Sequence, residues 1–568
     1  MVDKTCTNLP SARQLVRGSG EMAQDRKGLH RGDLIPGSDR DRRIGENTHD
    51  EPPIGPVWRF TVRDTDGLQT TLTLSPVNSR GSTLSVELEL QMTLPMPEQD
   101  DQLPDRIEAL VHHAGLEVQR RLFRALIEKA DQELVLARRH GRAGAGIQRR
   151  GTRPFTFKTI FGEVTVRRSR IRHNLDGTIE VPSARAWNTP HQLAITGHLR
   201  DAVCDQMSDQ SAGRSRVDVC REAGDEDLLG RSTIIEIVHR EGERLIDAQR
   251  ERARSILDEA PEARRALLGP AVVETEAVVE EIGDDPPGDD LDEPEPAEWA
   301  ATGFPGAEPA FPVAADERRE ADEGFVVVEP DEVKTKAQPG TGRKEVWTYT
   351  AVVLVAGWRY ALAEATAEGL WLQVGGLLLE LGVLSGERRL LVLGDGASWI
   401  RNWFEGLGIS PKAMIVCWWH LRKRCYESMS TAGGPRDRRR AFEKELLGQL
   451  WEGQVDAALE LLRAASEWVR TPKAVEDLIG YLEERREFIP DYRERQRAGL
   501  WIASTRVEKL NDWAVSGRCK HRGMSWSPQG VLALAVLEAA RRNGELDHWR
   551  EADELPERTL PEPIRKVA

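Results

Sequence analysis

The chain has 568 residues, of which 39% are hydrophobic and 30% are charged, so roughly two to four domains with apolar cores are expected. It contains no run of about 18 apolar residues, and its first residues lack the apolar centre of a secretory signal. We therefore expect neither a membrane span nor export, although the formal net charge of −15 argues at first sight against a nucleic-acid partner.

Charge is segregated along the chain, and this matters more than the total. Residues 271–323 hold 18 acidic residues against two arginines, with repeated Pro and Gly, which predicts an acidic linker over 266–323. Residues 138–172 hold 11 Lys and Arg against one Glu. The basic stretch is therefore a candidate nucleic-acid surface.

The six cysteines are scattered, and none forms a C-x-x-C pair. This pattern disfavours a disulfide framework and a zinc ribbon, and it fits a reducing cytoplasm.

The N-terminal region combines an aperiodic stretch with predicted strands and a helix. Residues 1–55 show no hydrophobic period and are predicted to be disordered. Residues 56–190 are predicted to form a mixed β/α basic domain, which begins with strands between 56 and 98. An amphipathic helix from Asp105 to Arg139 follows.

A β-hairpin or meander is predicted over residues 153–182, with a turn at Asp176-Gly177. The polar positions of its strands are mostly arginine, including Arg167 and Arg168. This one-sided composition favours contact with a DNA backbone, and a solvated sheet face is the alternative.

Residues 191–265 are predicted to be all-helical and to resemble a helix-turn-helix. A first helix covers about 211–223, a turn covers 225–230, and Ser232 or Thr233 caps a second helix. The second helix places its apolar residues inward, namely Ile234, Ile235, Ile237 and Val238. Its basic residues would then project outward to DNA, namely Arg231, Arg240 and Arg244. A helix pair that binds nothing is the alternative.

The pattern changes in residues 324–550. Apolar strands and helices are predicted in the order β-β-β-α-β-α-β-α, which is that of an RNase H-like α/β catalytic domain. The segment 427–498 is rich in helix formers and predicts an all-helical insertion that cradles DNA or binds a partner, with a structural cap as the alternative. Residues 551–568 are a C-terminal tail.

Two aspartates end apolar strands of this domain. Asp331 ends the first strand, and Asp395 ends the fourth between Gly394 and Gly396, which would let a metal and a phosphate approach closely. Cleavage of a phosphodiester needs charge neutralised on the attacking and leaving oxygens, which two Mg²⁺ ions on carboxylates achieve. A lone strand-end aspartate is otherwise a turn or helix-capping residue.

Four motifs together resemble the catalytic region of bacterial insertion-sequence transposases of the DDE type. They are EPDEV around Asp331, GDGASWI around Asp395, VCWWH with Cys417 and His420, and a block from Glu508 through Arg518 and Arg522 to Ser-Trp-Ser. The resemblance covers about residues 325–545. Lys509 departs from the family pattern, which has a small residue after the glutamate.

The resemblance implies that Asp331, Asp395 and Glu508 are catalytic and bind two Mg²⁺ or Mn²⁺ ions. Water would release a 3′-hydroxyl at the element end, and that hydroxyl would attack target DNA. The partners would be transposon ends and target DNA, bound by a homo-oligomer near the cytoplasmic nucleoid. If the register slips, the substitute carboxylates are Glu329, Glu332 and Asp512.

Further residues near these motifs have predicted roles. The basic run after Glu508 favours phosphate contacts by Arg518, Lys520 and Arg522. His420 is an accessory candidate for touching a phosphate or the leaving group, with hydrogen-bonded packing as the alternative. Cys417 fits a small buried residue better than a nucleophile, and a zinc site on Cys417 and His420 would need two more ligands.

Two other functions fit parts of the sequence. Another RNase H-like nuclease, such as a junction resolvase, would need the carboxylates but neither the helix-turn-helix nor the large helical insertion. A DNA-binding regulator derived from a transposase would need only the N-terminal half, and the retained carboxylates disfavour it.

Overall fold

The computed structural model describes parts of the chain, which are residues 58–63, 69–78, 85–93, 103–140, 147–174, 176–187, 194–268, 324–520 and 524–561. The predicted disordered segment 1–55 and nearly all of the predicted acidic linker lie outside these residues. In the described part, no helix combines the length and the apolar character needed to cross a membrane.

The chain divides into two compact units, residues 1–96 and residues 97–568. The first unit contains a three-stranded antiparallel sheet in the order β1-β2-β3. Its strands are β1 (Trp58–Arg63), β2 (Gln69–Asn78) and β3 (Ser85–Thr93). The strands predicted between 56 and 98 are thus confirmed, and the division falls inside the segment that we predicted as one domain, 56–190.

The second unit begins with a long helix packed on a β-hairpin. These elements are α1 (Leu103–His140), β4 (Ile147–Thr159), β5 (Gly162–His173), β6 (Ile179–Glu180) and α2 (Pro182–Ala186). Phe157, Val164 and Val166 of the hairpin form a small core against the helix. The predicted turn is confirmed, because the Asp176 carboxylate accepts the backbone N–H of Thr178 at 3.0 Å.

Four helices follow, α3 (Gly197–Asp209), α4 (Ala212–Glu222), α5 (Arg231–Asp258) and α6 (Pro261–Leu268). Ser211 caps α4 by accepting the N–H of Arg214. The predicted cap of the next helix is wrong: Gly230 is the N-cap of α5, and Ser232 and Thr233 lie inside its first turn. The inward placement of Ile234, Ile237 and Val238 is confirmed, since all three are buried.

A five-stranded mixed sheet forms the centre of residues 324–416. Its strands are β7 (Phe325–Lys336), β8 (Glu345–Val355), β9 (Trp358–Glu364), β10 (Arg389–Gly394) and β11 (Lys412–Val416). The spatial order is β11-β10-β7-β8-β9. β7, β10 and β11 are parallel, and β8 and β9 are antiparallel to their neighbours.

The helices that follow β9, β10 and β11 are α7 (Ala367–Glu380), α8 (Ser398–Gly406) and α9 (Trp418–Ala432). The predicted β-β-β-α-β-α-β-α order of elements is therefore confirmed.

The segment after α9 is helical as predicted. It comprises α10 (Arg436–Trp451), α11 (Val455–Ala465), α12 (Pro472–Glu484), a 3₁₀ turn (Arg486–Phe488) and α13 (Tyr492–Arg497). Then come α14 (Thr505–Asn511), a π-helical turn (Asp512–Ser516), α15 (Gly517–Cys519), α16 (Pro528–Asn543) and α17 (Leu546–Ala552).

One apolar core joins the two sides of the predicted linker. Buried residues of 195–268 and of 326–549 belong to a single cluster. The helix α5 packs on both α7 and α16. The helices predicted as a separate DNA-binding region, 191–265, therefore share a core with the sheet.

Close helix contact explains one glycine of this core. A Cβ built on Gly242 of α5 would lie 2.4 Å from both Cα and Cβ of Ala533 in α16. We predict that Gly242→Ala lowers the free energy of unfolding by at least about 1–3 kcal/mol, because the helices must separate. Urea unfolding followed by circular dichroism measures this change.

The matched control is Gly448→Ala in α10, where an added Cβ would meet nothing within 4 Å. This variant gains stability of about 0.5–1 kcal/mol from helix propensity. Equal effects of the two substitutions would contradict the close-packing explanation.

Candidate active site

Asp331 and Asp395 lie side by side at one edge of the sheet. Val328 of β7 pairs with Val392 of parallel β10, and each aspartate is three residues further along the chain. Asp395 follows the last residue of β10, as predicted. The prediction that Asp331 ends its strand is wrong, because β7 continues to Lys336 by pairing with β8. A Cβ on Gly394 would lie 3.4 Å from the carbonyl oxygen of Pro330, so the strands still adjoin there. Because neighbouring strands are about 4.7–4.9 Å apart, the two carboxylates fall next to each other.

The loop after β10 is held by the helical segment. Tyr481 donates its hydroxyl to the Asp395 carbonyl oxygen at 3.0 Å, and Arg485 Nε donates to the Gly396 carbonyl oxygen at 2.8 Å. The Asp395 carboxylate accepts the N–H of Ala397 at 2.8 Å. The spacing between Asp395 and Glu508 predicted an insertion, but nothing in the sequence indicated that it supports this loop.

The geometry also corrects the role expected of Gly396. Its φ is +78°, and an added Cβ would lie 2.9 Å from Arg485 Nε. The glycine is therefore needed for a left-handed turn packed beneath Arg485. We had expected it to make room for a metal and a phosphate.

Glu508 reaches the site on helix α14. Asn511, one turn further on, donates from Nδ2 to Asp331 Oδ2 at 2.8 Å and accepts the Thr350 hydroxyl at 2.6 Å. This amide bridge ties the Glu508 helix directly to the first aspartate. Asn511 is buried, whereas the Glu508 side chain is 48% exposed. The Glu508 carboxylate is therefore accessible to a ligand that arrives from solvent.

Glu329 forms a second hydrogen-bonded connection between β7 and α14. It is fully buried, and its carboxylate accepts the backbone N–H groups of Arg506 at 2.8 Å and Val507 at 3.1 Å. Burial raises its pKa to about 7, against the charge of Arg506 and these N–H donors. We had kept Glu329 as a substitute catalytic carboxylate, but its contacts make it an anchor for the first turn of α14.

The acids at this edge share one electrostatic environment. Burial raises the pKa of Asp331 to about 6, with contributions from the charges of Asp395 and Glu508, while His420 and the Glu332 N–H act to lower it. Glu332 has its pKa raised to about 7 by burial and by the charges of Asp395 and Asp331. Asp331, Asp395 and Glu508 are thus brought together.

The other two substitute carboxylates have different positions. Glu332 lies against the two aspartates, whose charges help to raise its pKa. Asp512 is exposed in the π-helical turn that follows α14.

Cys417 and His420 also reach this edge. Candidate ligand atoms of Cys417, His420 and Glu508 lie within 4.8 Å of one another, and His420 Nε2 is 3.6 Å from Glu508 Oε1. Burial acts to lower the pKa of His420, but the Cys417 thiol and the carboxylates of Asp331 and Glu508 raise it to about 10. Glu508 is a third potential ligand that sequence spacing did not identify.

Cys417 itself is fully buried, and its sulfur accepts the N–H of Ser504 at 3.4 Å. This placement agrees with the prediction of a small buried residue. The cysteines of the described part, residues 204, 220, 417, 425 and 519, are free and buried.

Three arginines predicted to contact DNA have their side chains occupied within the protein. Arg518 is 7% exposed and donates from Nε to the Met207 carbonyl oxygen at 2.9 Å. Arg168 is buried with its guanidinium 3.6 Å from the centre of the Phe155 ring. Arg244 pairs with Glu241 at 2.8 Å and with Asp553. Each is therefore better explained as a structural cation than as a phosphate ligand.

The remaining predicted contacts are more accessible. Arg167, Arg231 and Lys520 are exposed, whereas Arg240 is half-buried and pairs with Glu236 on its own helix. Arg522 lies outside the described residues.

Comparison with known proteins bears on the C-terminal part. Residues 320–557 match the model of a family described as an uncharacterised protein family, UPF0236. This region is similar to that family, and it contains Asp331, Asp395, Glu508 and the helical segment between them. None of the curated proteins matches the chain.

The Glu329 anchor predicts a stability effect. Glu329→Ala is expected to lower the free energy of unfolding by about 1–3 kcal/mol, because two buried amides of α14 lose their acceptor. Glu329→Gln keeps a side-chain oxygen for these amides and should lose less. Urea unfolding of the three proteins measures this order, and an alanine variant as stable as the parent contradicts the anchor.

The Asn511 bridge predicts a second effect. Asn511→Ala removes the short hydrogen bond from the buried Thr350 hydroxyl and the amide that donates to Asp331, and it should cost about 1–3 kcal/mol of unfolding free energy. The control is Asn402→Ala, an exposed position of α8, which should stay within about 0.5 kcal/mol of the parent. Equal thermal melting of both variants would argue against the bridge.

Proposed function

We propose that this chain is a DDE-type transposase of a bacterial insertion sequence, with an RNase H-like catalytic core in its C-terminal half. The observation that carries the proposal is the convergence of Asp331, Asp395 and Glu508. They are separated by 64 and 113 residues in the chain. Even so, the charges of Asp395 and Glu508 both act on Asp331 and help to raise its pKa. The element order of the sheet and its helices is the one expected of such a core.

The donor set fits magnesium or manganese. Three carboxylates supply the hard oxygen ligands that these ions prefer. Burial raises the pKa of Asp331 and the charges of Asp395 and Glu508 add to this, and a divalent cation would offset both effects. Asp331, Asp395 and Glu508 would hold the ions. When bound, the ions would neutralise charge on the attacking and leaving oxygens.

The protein's own residues prepare this chemistry. Asn511 and the Glu332 N–H, 2.8 Å from Asp331 Oδ1, fix the orientation of the Asp331 carboxylate. Burial acts to lower the pKa of His420, but Cys417 and the carboxylates of Asp331 and Glu508 raise it, which favours a protonated ring. Lying next to Glu508, it is placed to donate a hydrogen bond to a phosphate oxygen or to the leaving 3′ oxygen.

The proposed reaction has two balanced steps. In the first, a water oxygen attacks phosphorus at the element end and the bond from phosphorus to the 3′ oxygen breaks, which releases a 3′-hydroxyl and a 5′-phosphate. In the second, that 3′-hydroxyl attacks a target phosphodiester and one target phosphorus–oxygen bond breaks. The number of phosphodiester bonds is unchanged in the second step, so no covalent link to the protein is required.

The proposed partner is DNA, held as element ends and target by a homo-oligomer. Exposed arginines on the β4–β5 hairpin offer a surface for its backbone, namely Arg149, Arg150, Arg153, Arg167 and Arg172. Because they are spread over both strands, they would give strong but sequence-independent attraction.

The decisive test is Asp395→Asn. We predict a loss of about 100-fold or more in Mg²⁺-dependent nicking and strand transfer on a DNA substrate that carries the element end, since removal of one preorganised electrostatic group costs about 10²–10³. Binding of the same DNA, followed by gel shift in EDTA, should stay within about threefold, since the substitution is isosteric.

The matched control is Asp477→Asn, an exposed position in α12 of the helical segment. It should cleave like the parent. Nicking by Asp395→Asn at the parental rate would remove the basis of the proposal, whereas parallel loss in both variants would point to an effect of the helical segment instead.

A further inference from the structure

A cationic cleft lies beside the helix that carries Glu508. It has a volume of about 210 Å³ and opens between α14, the strands β8 and β9, and the end of α16. Four basic residues line it around an apolar floor, namely Arg359, Arg506, Lys509 and Arg542. Among the described residues that line the cleft, none is acidic.

The cleft and the carboxylate site use opposite faces of α14. Residues three and four apart share one face of a helix, so Arg506, Lys509 and Leu510 face the cleft together. Glu508 and Asn511 turn to the other side, toward Asp331. The two sites are therefore separated by about one helix diameter, roughly 10–12 Å.

Two of the guanidinium groups are held in place by aromatic rings and by ion pairs, Arg506 with Glu329 at 3.5 Å and Arg542 with Glu538 at 2.8 Å, so they shape the wall of the cleft. Arg506 lies 3.3 Å from the centre of the Trp501 ring, and Arg542 lies 3.9 Å from that of Trp513. Trp513 is also 49% exposed, which leaves an aromatic surface beside the cations. Cations together with an exposed aromatic ring suit a nucleic-acid strand better than a free inorganic anion.

Arg359 and Lys509 are exposed at the rim of the cleft. Both have long stems, which lets their charged ends reach a backbone phosphate at the rim. Lys509 is also the residue that departs from the pattern of the transposases that this region resembles. Lys509 lines the cleft, where it could contact a phosphate, and it does not face the carboxylate site.

We propose that this cleft binds a backbone phosphate of the DNA strand that is cut, on the opposite side of α14 from the scissile phosphate. The inference rests on the proposed function. It adds a contact that holds the strand on the far side of α14 while Glu508 faces the scissile phosphate.

The test is the salt dependence of DNA binding by the full chain, measured by fluorescence anisotropy with a labelled duplex in EDTA. The double variant Arg359→Gln/Lys509→Gln should lower the slope of log affinity against log salt by about 0.9 for each phosphate that the protein no longer neutralises. Its thermal melting should match the parent, because both positions are exposed. A parental slope would overturn the inference.

The matched control is Arg265→Gln/Lys473→Gln, which removes the same two charges from exposed positions outside the cleft. Its slope should equal that of the parent. An equally reduced slope in both double variants would show a general charge effect and would overturn the assignment to the cleft.

Two further outcomes separate the hypotheses. If the parent binds no DNA, the proposed function fails together with the inference; if it binds DNA and loses cleavage on Asp395→Asn, a parental slope of the Arg359→Gln/Lys509→Gln variant overturns the cleft alone. Pyrophosphate is the second probe. Pyrophosphate binding that this variant abolishes while its DNA slope stays parental would assign the cleft to a small phosphate and overturn the DNA contact.

Discussion

Hydrogen bonds from the strand β7 hold the helix α14 at both of its ends, and the candidate active site depends on these hydrogen bonds. Glu329 accepts two backbone N–H groups of the first turn, and Asp331 accepts the Asn511 amide of the last. The rise from Glu329 to Asp331 in the strand is about 6.6 Å, and the rise from Arg506 to Asn511 in the helix is about 7.5 Å. The two hydrogen-bonding positions on the strand are therefore spaced like their two partners on the helix. Glu508 lies between these ties, and its position is therefore set by the same strand that carries the first aspartate.

The Asp395 side of the site is stabilised from a different direction. Tyr481 and Arg485 of the helical segment bond the carbonyl oxygens of Asp395 and Gly396. The segment is therefore part of the support of the site, even if it also contacts DNA or a partner. On the opposite side, α5 packs on α16 through Gly242, so helices from before the predicted linker help to hold the sheet and its acids.

Arginine illustrates how a single residue type serves two purposes in this chain. Arg168 is buried against aromatic rings, while its neighbour Arg167 is exposed, because successive residues of a strand point to opposite faces. The guanidinium group of Arg518 likewise donates to a backbone carbonyl oxygen, and that of Arg244 pairs with a carboxylate. Among the described residues, exposed arginines and lysines such as Arg167 of the hairpin and Lys509 of the cationic cleft are better placed to meet a phosphate.

Sequence alone determined the local features: the strands, the order of elements in the C-terminal half, the helical insertion and the choice of Asp331, Asp395 and Glu508 as candidates. These follow from hydrophobic period and from motif residues, which are local signals. Tertiary structure alone decided that Glu329 anchors a helix, that Asn511 bridges to Asp331, that Arg518 is buried and that Lys509 faces a cleft. Each of these depends on which residues, often more than 100 positions apart, become neighbours, and hydrophobic period carries no information about such pairings.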